Sequence, residues 1–454
     1  MTQIQLTNTI THKKEVFTPI NPQHIGLYVC GPTVYDRPHI GNARSAITFD
    51  ILYRLLKQCY PKVTYVRNVT DVDDKINTRA RDLNIPIRTL TTETLEYYHR
   101  DIASLSGLQP DIEPRATEHI AEMIAMIEQL ISKGHAYSAE GHVLFDIQSY
   151  KDYGALSRKN QDDLIAGARI EIAPYKKNAA DFVLWKPSDA DTPGWDSPWG
   201  YGRPGWHIEC SAMSAKYLGQ TFDIHAGGVD LIFPHHENEV AQSCCAHDTQ
   251  RMANTWLHNG HLTVNGEKMS KSLGNFITVQ DLLEHHDGEV IRLALLLTHY
   301  RQPLDWTNQQ LAHAKNMLDR FYGALNLTTE LIENETISPL ILDALTDDLN
   351  VPGALAVLHD LANQMYKAPS TEIASALKGS AALMGLLKKS PTEWFQGHMH
   401  STNIDSSDIE TLIAVRHTAK AAKNFTESDK IRAQLLEKGI ILLDTPTGTT
   451  WRRA

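Results

Sequence analysis

A strand that turns through glycine and proline into a helix is the feature that most limits how this chain can fold. Residues 27–42 read Leu-Tyr-Val-Cys-Gly-Pro-Thr-Val-Tyr-Asp-Arg-Pro-His-Ile-Gly-Asn. The apolar run Ile25–Val29 predicts a buried strand, and Ser45–Tyr60 has the apolar spacing of a helix that leads to a second strand, Val63–Val69. This β-α-β order predicts a parallel sheet with a ligand at the carboxyl ends of its strands.

The turn between this first strand and its helix suits an anion. A helix begins with unpaired N–H groups and the positive end of its dipole. Gly41 lets a ligand approach the backbone, and His39 adds a donor whose charge changes near neutral pH. Glycine, proline and single histidines are also common in ordinary turns, so a purely structural role stays open at this point.

A second motif lies far downstream. Residues 268–272 read Lys-Met-Ser-Lys-Ser, here called the KMSKS motif, with Gly266 and Gly274 on either side. By chance these five residues would occur in a chain of this length with odds on the order of one in ten thousand. Two lysines alone would equally fit a solvated basic loop, but their combination with the corner His39–Asn42 resembles class I aminoacyl-tRNA synthetases.

This resemblance implies a Rossmann-type parallel sheet on which both motifs bind ATP. His39, Lys268 and Lys271 are then expected at the phosphates as catalytic groups, with Gly41 close to the nucleotide. The family usually has a second histidine where this chain has Asn42. Asparagine can donate a hydrogen bond but cannot carry a positive charge.

Composition excludes several classes of protein. With 42% hydrophobic and 21% charged residues, the 454-residue chain is ordinary for a globular protein of more than one domain. Five cysteines are too few and too scattered for a disulfide scaffold. The sequence has no apolar run of membrane-spanning length and no apolar leader at its start, which predicts a cytoplasmic protein without membrane contact.

The net charge of −11 repels nucleic acid on average, but binding requires only a local positive surface. From residue 411 onward, eight lysines and arginines stand against four aspartates and glutamates. The segment that ends the chain is therefore net positive and is the predicted RNA-binding part.

The resemblance also implies an insertion that splits the sheet, followed by helices and a small terminal domain. The turn-rich stretch with apparent strands at Val143–Asp146 and Phe182–Lys186 fits the insertion, after which the sheet is expected to resume at Gly205–Cys210. The acidic segment Arg67–Lys75 either holds Mg²⁺ or starts a helix. The expected domains are a Rossmann catalytic domain in two halves (1–133 and 205–260), a connective insertion (134–204), the KMSKS loop and stem-contact region (261–306), a helical bundle (307–400) and a C-terminal anticodon-binding domain (401–454).

Four residues with metal-binding side chains need separate consideration. Cys30 ends the first strand, Cys210 follows Gly-Trp-His-Ile-Glu, and His235 and Glu239 are four apart on one helix face. Two thiolates, an imidazole and a carboxylate form a chemically reasonable Zn²⁺ set. Spacing alone also allows His236 with Glu239, and buried thiols often serve only as small apolar side chains.

A closer resemblance favours the metal. Cys30–Asp36, Arg67–Lys75, Gly205–Cys210, Phe233–Glu239 and the terminal Gly448–Arg453 resemble the cysteinyl-tRNA synthetase family. In that family one zinc ion lies in the amino-acid pocket, and the matching ligands here are Cys30, Cys210, His235 and Glu239. The resemblance implies that the chain activates L-cysteine with ATP and Mg²⁺ and transfers it to tRNA(Cys), with zinc selecting the thiolate, as a monomer.

Further residues are assigned to the same pocket. Trp206 and His225 are expected to line the cysteine and adenylate site, although a plain core role is an equal alternative for each. The remaining assignments are Gly31 and Thr70 to the substrate, and Gly227, Gly228 and Asp230 to the ATP ribose.

Two other functions are compatible with parts of the sequence. A ligase that joins activated cysteine to a small amine, as in mycothiol biosynthesis, resembles the catalytic half but lacks the basic tail. A non-catalytic tRNA-binding paralogue would not need the KMSKS motif or four available metal ligands. The synthetase is therefore the preferred interpretation.

Overall fold

The computed structural model describes residues 3–159, 174–328, 335–397, 405–445 and 448–453. The chain divides into two compact units. The first comprises Met1–Val279, Leu295–Thr307 and Pro339–Ala354; the second comprises Gln280–Ala294, Asn308–Ser338 and Leu355–Ala454. Within the described ranges, no helix is long and apolar enough to cross a membrane.

Strands and helices follow one another in the order expected for an α/β chain with a helical end. The strands are β1 Gln5–Asn8, β2 Lys13–Val16, β3 Ile25–Val29, β4 Val63–Arg67, β5 Ala136–Ala139, β6 His142–Phe145, β7 Phe182–Pro187, β8 Gly202–Pro204, β9 Phe222–Gly228, β10 Ala253–Asn259, β11 Leu262–Val264, β12 Glu267–Lys268, β13 Leu304–Trp306, β14 Ile440–Thr445 and β15 Gly448–Arg453. The α-helices are α1 Ile40–Cys59, α2 Asp74–Leu83, α3 Ile87–Ser104, α4 Ile120–Ser132, α5 Trp206–Leu218, α6 Glu237–His247, α7 Val279–Leu283, α8 Gly288–Leu296, α9 Asn308–Leu325, α10 Pro339–Thr346, α11 Val351–Lys367, α12 Thr371–Leu383, α13 Pro391–Gln396, α14 Ser406–Ala421 and α15 Phe425–Glu437.

The first unit is built on the predicted parallel sheet, whose strand order is β10-β9-β3-β4. β3 pairs on one side with β4, where Leu27 faces Tyr65, and on the other with β9, where Tyr28 faces His225. The chain leaves β3 through α1 toward β4, whereas β9 is followed by α6 and then β10. The direction of winding therefore changes between β3 and β9, which is where such sheets bind ligands, outside the carboxyl ends of the strands.

The amino-terminal residues form the predicted hairpin, β1 with β2, and it covers the β10 edge of the sheet. Asn8 is buried, and its side chain both donates to Asn254 O (2.9 Å) and accepts from Trp256 N (3.0 Å). One asparagine thus pairs an N–H and a C=O of a strand that would otherwise have an open edge.

The insertion forms a separate antiparallel sheet of four strands, β5-β6-β7-β8. The prediction that the sheet resumes at Gly205–Cys210 is wrong, because these residues open helix α5 with Gly205 as its N-cap. The sequence that follows, with Glu209, Ala212, Met213 and further alanine, lysine and leucine, is rich in good helix formers, and only one residue of the helix is β-branched.

The acidic segment after β4 starts a helix rather than offering a group of open carboxylates. Asp73 is the N-cap of α2 and accepts from Lys75 N at 2.7 Å. Asp71 is buried and accepts from the backbone and hydroxyl of Thr117 (2.9 and 2.8 Å). Asp74, in the first turn of α2, is paired with Lys186 and Arg203.

The KMSKS motif leaves a tight hairpin between β11 and β12. Asn265 and Gly266 are the two turn residues, both with positive φ (50° and 80°). Asn-Gly is the preferred pair for such two-residue turns, because both positions require φ above zero. Lys268 ends β12, so the hairpin fixes where the motif begins.

A buried arginine joins α1 to the base of this hairpin. Arg44 is 1% exposed, and its guanidinium donates to four carbonyls: Gly260 (3.0 Å), His261 (2.5 Å), Tyr300 (3.3 Å) and Gln302 (2.5 Å). None of these partners is a carboxylate, and burial lowers the pKa of Arg44 to about 10. The arginine stays charged at neutral pH and holds two segments of the chain against the helix that begins at His39.

The second unit is helical and ends in the hairpin of β14 and β15. One apolar face of α9 (Leu311, Leu318, Phe321, Tyr322, Leu325) is buried throughout. At the end of the chain α14, α15, β14 and β15 share a small core around Leu435, Ile440 and Trp451. The described segment that contains α14 and β14 begins at residue 405, and α14 begins at Ser406.

The charge count overstates the positive surface of this terminal region. Arg416 is 3% exposed and forms two bonds to Asp444 (2.8 and 2.9 Å), to which Lys420 also donates. These contacts hold the pKa of Asp444 well below its usual range. The cations on exposed residues are Lys423, Lys430, Arg432 and Lys438.

Replacing Arg44 by methionine is expected to lower the free energy of unfolding by about 3 kcal/mol, because buried carbonyls that lose their donor remain unpaired. Denaturant titration followed by circular dichroism measures the change. Lys57→Met, on the exposed face of the same helix, is the control and should differ from wild type by no more than about 0.5 kcal/mol. Equal behaviour of the two variants would contradict the assigned role of Arg44.

Candidate functional site

Four chain segments meet at the carboxyl ends of β3 and β9. Cys30 directly follows β3, and β9 ends in Gly227 and Gly228. Cys210 lies in the second turn of α5. A π-helical turn, Ile232–His236, leads into α6 and brings its histidines to the same place.

Cys30, Cys210, His235 and Glu239 offer ligand atoms that all lie within 4.8 Å of one another; we call these four residues the cage. Cys30 Sγ is 3.8 Å from Cys210 Sγ, 3.6 Å from His235 Nε2 and 3.6 Å from Glu239 Oε1. His235 Nε2 and Glu239 Oε1 are 2.9 Å apart. The structure therefore brings together the four residues assigned to a metal from the sequence.

The donor set fits zinc. In a tetrahedral zinc site with Zn–S near 2.3 Å and Zn–N or Zn–O near 2.1 Å, neighbouring ligand atoms are about 3.3–3.8 Å apart. The three distances from Cys30 Sγ match this spacing. The 2.9 Å separation of His235 and Glu239 is that of a hydrogen bond.

A second set shares two of these residues. Cys30, His225, His236 and Glu239 also offer ligand atoms within 4.8 Å of one another. His225 Nε2 lies 2.8 Å from Glu239 Oε2, and His236 Nε2 lies 3.3 Å from Cys30 Sγ. The ambiguity between His235 and His236 that spacing leaves open is thus also present in the fold, and the two-thiol set is the better match to zinc.

Three of the four cage residues are buried, Cys30 is half-buried, and the four side chains differ in how readily they carry charge. Burial opposes ionisation of Cys210, but the hydrogen bonds from Cys30 and His235 overcome it and lower the pKa of Cys210 to about 6. Burial also opposes charge on His235, yet Glu239 and Cys210 raise its pKa to about 10. Burial and the bond to Cys210 raise the pKa of Cys30 well above its usual range. A divalent cation bound by these residues would displace protons from the thiols and from His235.

Aromatic residues surround His235 on the pocket side. The Trp206 ring stacks on it at 4.2 Å and is 39% exposed. His207 Nδ1 lies 2.9 Å from His235 Nδ1, and burial lowers the pKa of His207 to about 3, so this ring is neutral. Partners on the far nitrogen fix the orientation of a metal-binding imidazole.

The corner at the start of α1 is a closed capping box. His39 is the N-cap, and its Nδ1 accepts from Gly41 N (3.1 Å) and Asn42 N (3.3 Å). Asn42 Oδ1 accepts in return from His39 N at 3.1 Å. Because Nδ1 is an acceptor, a neutral His39 carries its proton on Nε2, where it remains available as a donor. Burial lowers the pKa of His39, which favours this neutral form.

The residues after the KMSKS motif pack on this corner. Ile40 N donates to Ile277 O (3.1 Å), Val279 N donates to Pro38 O (3.0 Å), and the Phe276 ring meets the His39 ring edge-on at 5.3 Å. The two motifs predicted to act together are therefore joined by backbone hydrogen bonds.

The two lysines of the KMSKS motif have different surroundings. Lys271 is paired with Asp36, and its ammonium lies 5.2 Å from the centre of the Phe276 ring. Burial would raise the pKa of Asp36, but the bond from Lys271 outweighs it and lowers that pKa. Lys268 is exposed at the end of β12 and is not brought to the cage.

The other assigned residues lie around the cage in different environments. Gly31 N donates to Asn68 Oδ1 (2.8 Å), and a side chain there would collide with Asn68 O. Thr70 is buried and donates to Glu209 Oε2 at 2.9 Å. His225 is buried and lies against Glu239. This position is compatible with both of the roles considered for it, in the core and in the site.

Gly227 and Gly228 have packing reasons to be glycine. A Cβ on Gly227 would lie 2.9 Å from the His236 ring, and one on Gly228 would lie 2.4 Å from Asp230 Oδ1. Asp230 itself is exposed. The glycines let the end of β9 pass beside the second histidine of the motif.

Sequence reasoning missed several residues that the fold places here. Asp36 belongs to the first motif and pairs with Lys271, and His207 lies against the predicted ligand His235. Phe276 follows the KMSKS motif and contacts His39. Their only signal in the sequence is proximity to the motifs, which does not distinguish contact from chance.

Two family models match this chain. One, described as tRNA synthetases class I (C) catalytic domain, matches residues 16–316. The other, described as DALR domain, matches residues 341–389. The first covers the parallel sheet, the cage and the KMSKS motif.

Relatives extend the similarity over the whole chain. The protein named Cysteine--tRNA ligase from Paramagnetospirillum magneticum is 57% identical over 455 residues, 99% of this chain and 99% of the relative. That from Rhodospirillum rubrum is 56% identical over 457 residues, 99% of this chain and 100% of the relative. Mycobacterium tuberculosis methionyl-tRNA synthetase in complex with methionyl-adenylate aligns with a TM-score of 0.57 at 14% identity, over 80% of this chain and 89% of that one, and supports the fold alone.

Comparison of His39→Asn with His39→Ala distinguishes the role of His39 as the cap of α1 from its role as a donor through Nε2–H. Asparagine caps helices well, so His39→Asn should leave the free energy of unfolding within about 0.5 kcal/mol of wild type, whereas His39→Ala should lower it by about 1 kcal/mol. Denaturant titration measures both.

The same pair has a predicted pH dependence. Because burial lowers the pKa of His39 in the folded state, protons bind the unfolded state more strongly. The free energy of unfolding of wild type minus that of His39→Ala should therefore decline as the pH falls below 6.5. The same difference between His39→Asn and His39→Ala should stay constant with pH. A wild-type advantage independent of pH would contradict capping by Nδ1.

Proposed function

This chain belongs to the class I tRNA synthetase family, in which its full-length relatives are named cysteine--tRNA ligases, and we propose on that premise that it activates L-cysteine with ATP and transfers it to tRNA(Cys). The observation that carries the proposal is the cage. It places two thiols, an imidazole and a carboxylate at the strand ends where such a sheet binds its ligands.

Zinc is the metal we propose for the cage, held by Cys30, Cys210, His235 and Glu239. When bound, it supplies a soft Lewis acid that binds a thiolate strongly and an alcohol weakly. Cysteine and serine differ mainly in that atom, and a pocket of fitted shape alone separates such close analogues by only about a hundredfold. Recognition of sulfur through the metal would then make a separate editing reaction unnecessary.

Trp206 and Thr70 are proposed to bound the amino-acid pocket. The exposed edge of Trp206 stands over His235, on the accessible side of the cage. Thr70 lies behind, bonded to Glu209. We assign Gly31 to the same pocket, since a side chain at that position has no room.

In the first step the cysteine carboxylate attacks the α-phosphorus of ATP in line. The bond from that phosphorus to the bridging oxygen breaks, which releases pyrophosphate and forms cysteinyl-adenylate. Nε2–H of His39 would donate to a phosphate oxygen, and the positive end of the α1 dipole would favour the phosphate charge, although the first N–H groups of the helix are already paired. Gly41 leaves room for the nucleotide, Gly227, Gly228 and Asp230 are assigned to the ribose, and Mg²⁺ arrives with ATP.

Lys271 would exchange one anionic partner for another. With Asp36 it forms a partly exposed ion pair, which contributes little in water. The triphosphate carries more negative charge than one carboxylate, so Lys271 is expected to move to it as charge develops, together with Lys268. Asn42 takes part through the cap that orients His39.

In the second step a ribose hydroxyl at the 3′ end of tRNA attacks the carbonyl of the adenylate, and AMP leaves. The DALR match over residues 341–389 and the full-length similarity favour tRNA over a small amine as acceptor. Residues 401–454 are proposed to read the anticodon, with the four exposed cations Lys423, Lys430, Arg432 and Lys438 facing phosphate.

ATP–pyrophosphate exchange with cysteine and with serine tests the proposal. The holoenzyme should prefer cysteine strongly, and the chelator-treated enzyme should retain a preference of about a hundredfold or less, because only pocket shape remains. Zinc added back should restore the preference. Aminoacylation of tRNA by the holoenzyme distinguishes the synthetase from a small-amine ligase.

Cys210→Ser and Cys59→Ser form a matched pair for this experiment. Cys59 is partly exposed at the end of α1, outside the cage. Cys59→Ser should behave as wild type, and Cys210→Ser should behave as the chelated enzyme. An undiminished preference for cysteine in the metal-free enzyme would overturn the proposed role of zinc.

A further inference from the structure

One of the two acidic residues of the His-His-Glu-Asn-Glu motif has no role in the cage and yet is completely buried. Glu237, the first residue of α6, is 0% exposed. Its two carboxylate oxygens accept from different backbone groups of the insertion: Oε1 from Gly154 N at 2.8 Å and Oε2 from Ser157 N at 2.7 Å.

No cation within salt-bridge distance offsets this carboxylate among the described residues. Its stabilisation comes from two short charge-assisted bonds to N–H groups and from its place in the first turn of α6, where the helix dipole favours negative charge. Burial of an unpaired carboxylate is costly unless its oxygens are hydrogen-bonded. The conformation of residues 154–157 and the burial of the Glu237 carboxylate therefore depend on each other.

The loop is shaped to reach Glu237. Gly154 has φ of 99°, and a Cβ there would lie 2.2 Å from Lys159 O, so only glycine fits. Leu156, between the two donors, is 1% exposed in the core. Beside these bonds, Tyr153 Oη donates to Asn238 Oδ1 at 2.5 Å. Two consecutive residues of α6 are thus bound by one short segment, residues 153–157.

Glu237 stands midway between two cage residues. His235 precedes it by two positions and Glu239 follows it by two. His235 belongs to the π-helical turn and Glu239 to α6, so Glu237 lies at the junction whose backbone fixes the separation of these two ligands. A shift of this junction would move both side chains relative to the sulfurs of Cys30 and Cys210.

We propose that Glu237 is a positioning residue for the metal: by binding Gly154 and Ser157 it fixes the start of α6 and so holds His235 and Glu239 in the cage. This inference rests on the proposed metal function of the cage. Thermodynamic linkage makes the coupling reciprocal, so metal bound in the cage should also hold segment 153–157 in place.

Zinc affinity of the full chain tests the inference without measuring catalysis. Competition between protein and a chromophoric zinc chelator gives the dissociation constant. Glu237→Gln can accept through one oxygen only and should weaken zinc binding by about 10- to 100-fold, the effect usual for residues that support metal ligands.

Glu289→Gln is the matched control. Glu289 is also a buried carboxylate; it accepts from Leu387 N at 2.5 Å and from Tyr322 Oη at 2.8 Å, in the second unit. This variant should bind zinc as wild type does. Equal zinc affinity in wild type and Glu237→Gln would overturn the inference, as would equal weakening in both variants. Absence of zinc binding by wild type would instead overturn the proposed function.

Tyr153→Phe and hydrogen exchange provide an independent test if Glu237→Gln fails to fold. Tyr153→Phe removes only the bond to Asn238 and should weaken zinc binding by about 3- to 10-fold, less than the loss of a direct anchor. In wild type, removal of zinc should speed exchange of the Gly154 and Ser157 amides. Unchanged exchange on zinc removal, with unchanged affinity in Tyr153→Phe, would contradict the coupling.

Discussion

This structure depends on one constraint. Two sulfurs, one imidazole and one carboxylate must come together in a mostly buried site. Cys30 and Cys210 are 180 positions apart, and the sheet must close before their sulfurs come within 3.8 Å. Glu239 is held by His225 and His235, and these neighbours keep its pKa well below its usual range despite complete burial. Charged groups of this kind are costly to bury unless paired, so the cage is stable only with all its members in place.

The rest of the catalytic unit can be understood from what surrounds the cage. One strand, β3, ends at a cage sulfur, and the turn that follows it leads to the anion corner at His39. Arg44 binds α1 to the base of the KMSKS hairpin through four carbonyls. The corner that would meet ATP phosphates and one cage residue, Cys30, therefore belong to the same β-α element.

Much of this could be predicted from the sequence because its signals are local. Apolar spacing gave β3, α1 and β4, and the four cage residues followed from the resemblance to the cysteinyl-tRNA synthetase family. Spacing could not choose between His235 and His236, because positions three and four residues from Glu239 both share its face and the π-helical turn brings both rings to Cys30.

The errors and omissions have a common physical origin. Residues 205–210 were expected to resume the sheet, but with the residues that follow they form helix α5, whose sequence is rich in helix formers. The pairing of Lys271 with Asp36, the use of Arg416 against Asp444 and the clamp of Glu237 on the insertion all join distant positions. Such pairs are determined by tertiary contacts, and no periodic pattern in the sequence indicates them.

Zinc K-edge X-ray absorption on the zinc-loaded full chain tests the central claim most directly, because it counts the sulfur atoms bound to the metal. The cage predicts two sulfurs in the free protein, three after saturation with L-cysteine and two after saturation with L-serine. A sulfur count that stays at two when cysteine binds would show that the metal does not recognise the substrate thiolate and would contradict the account.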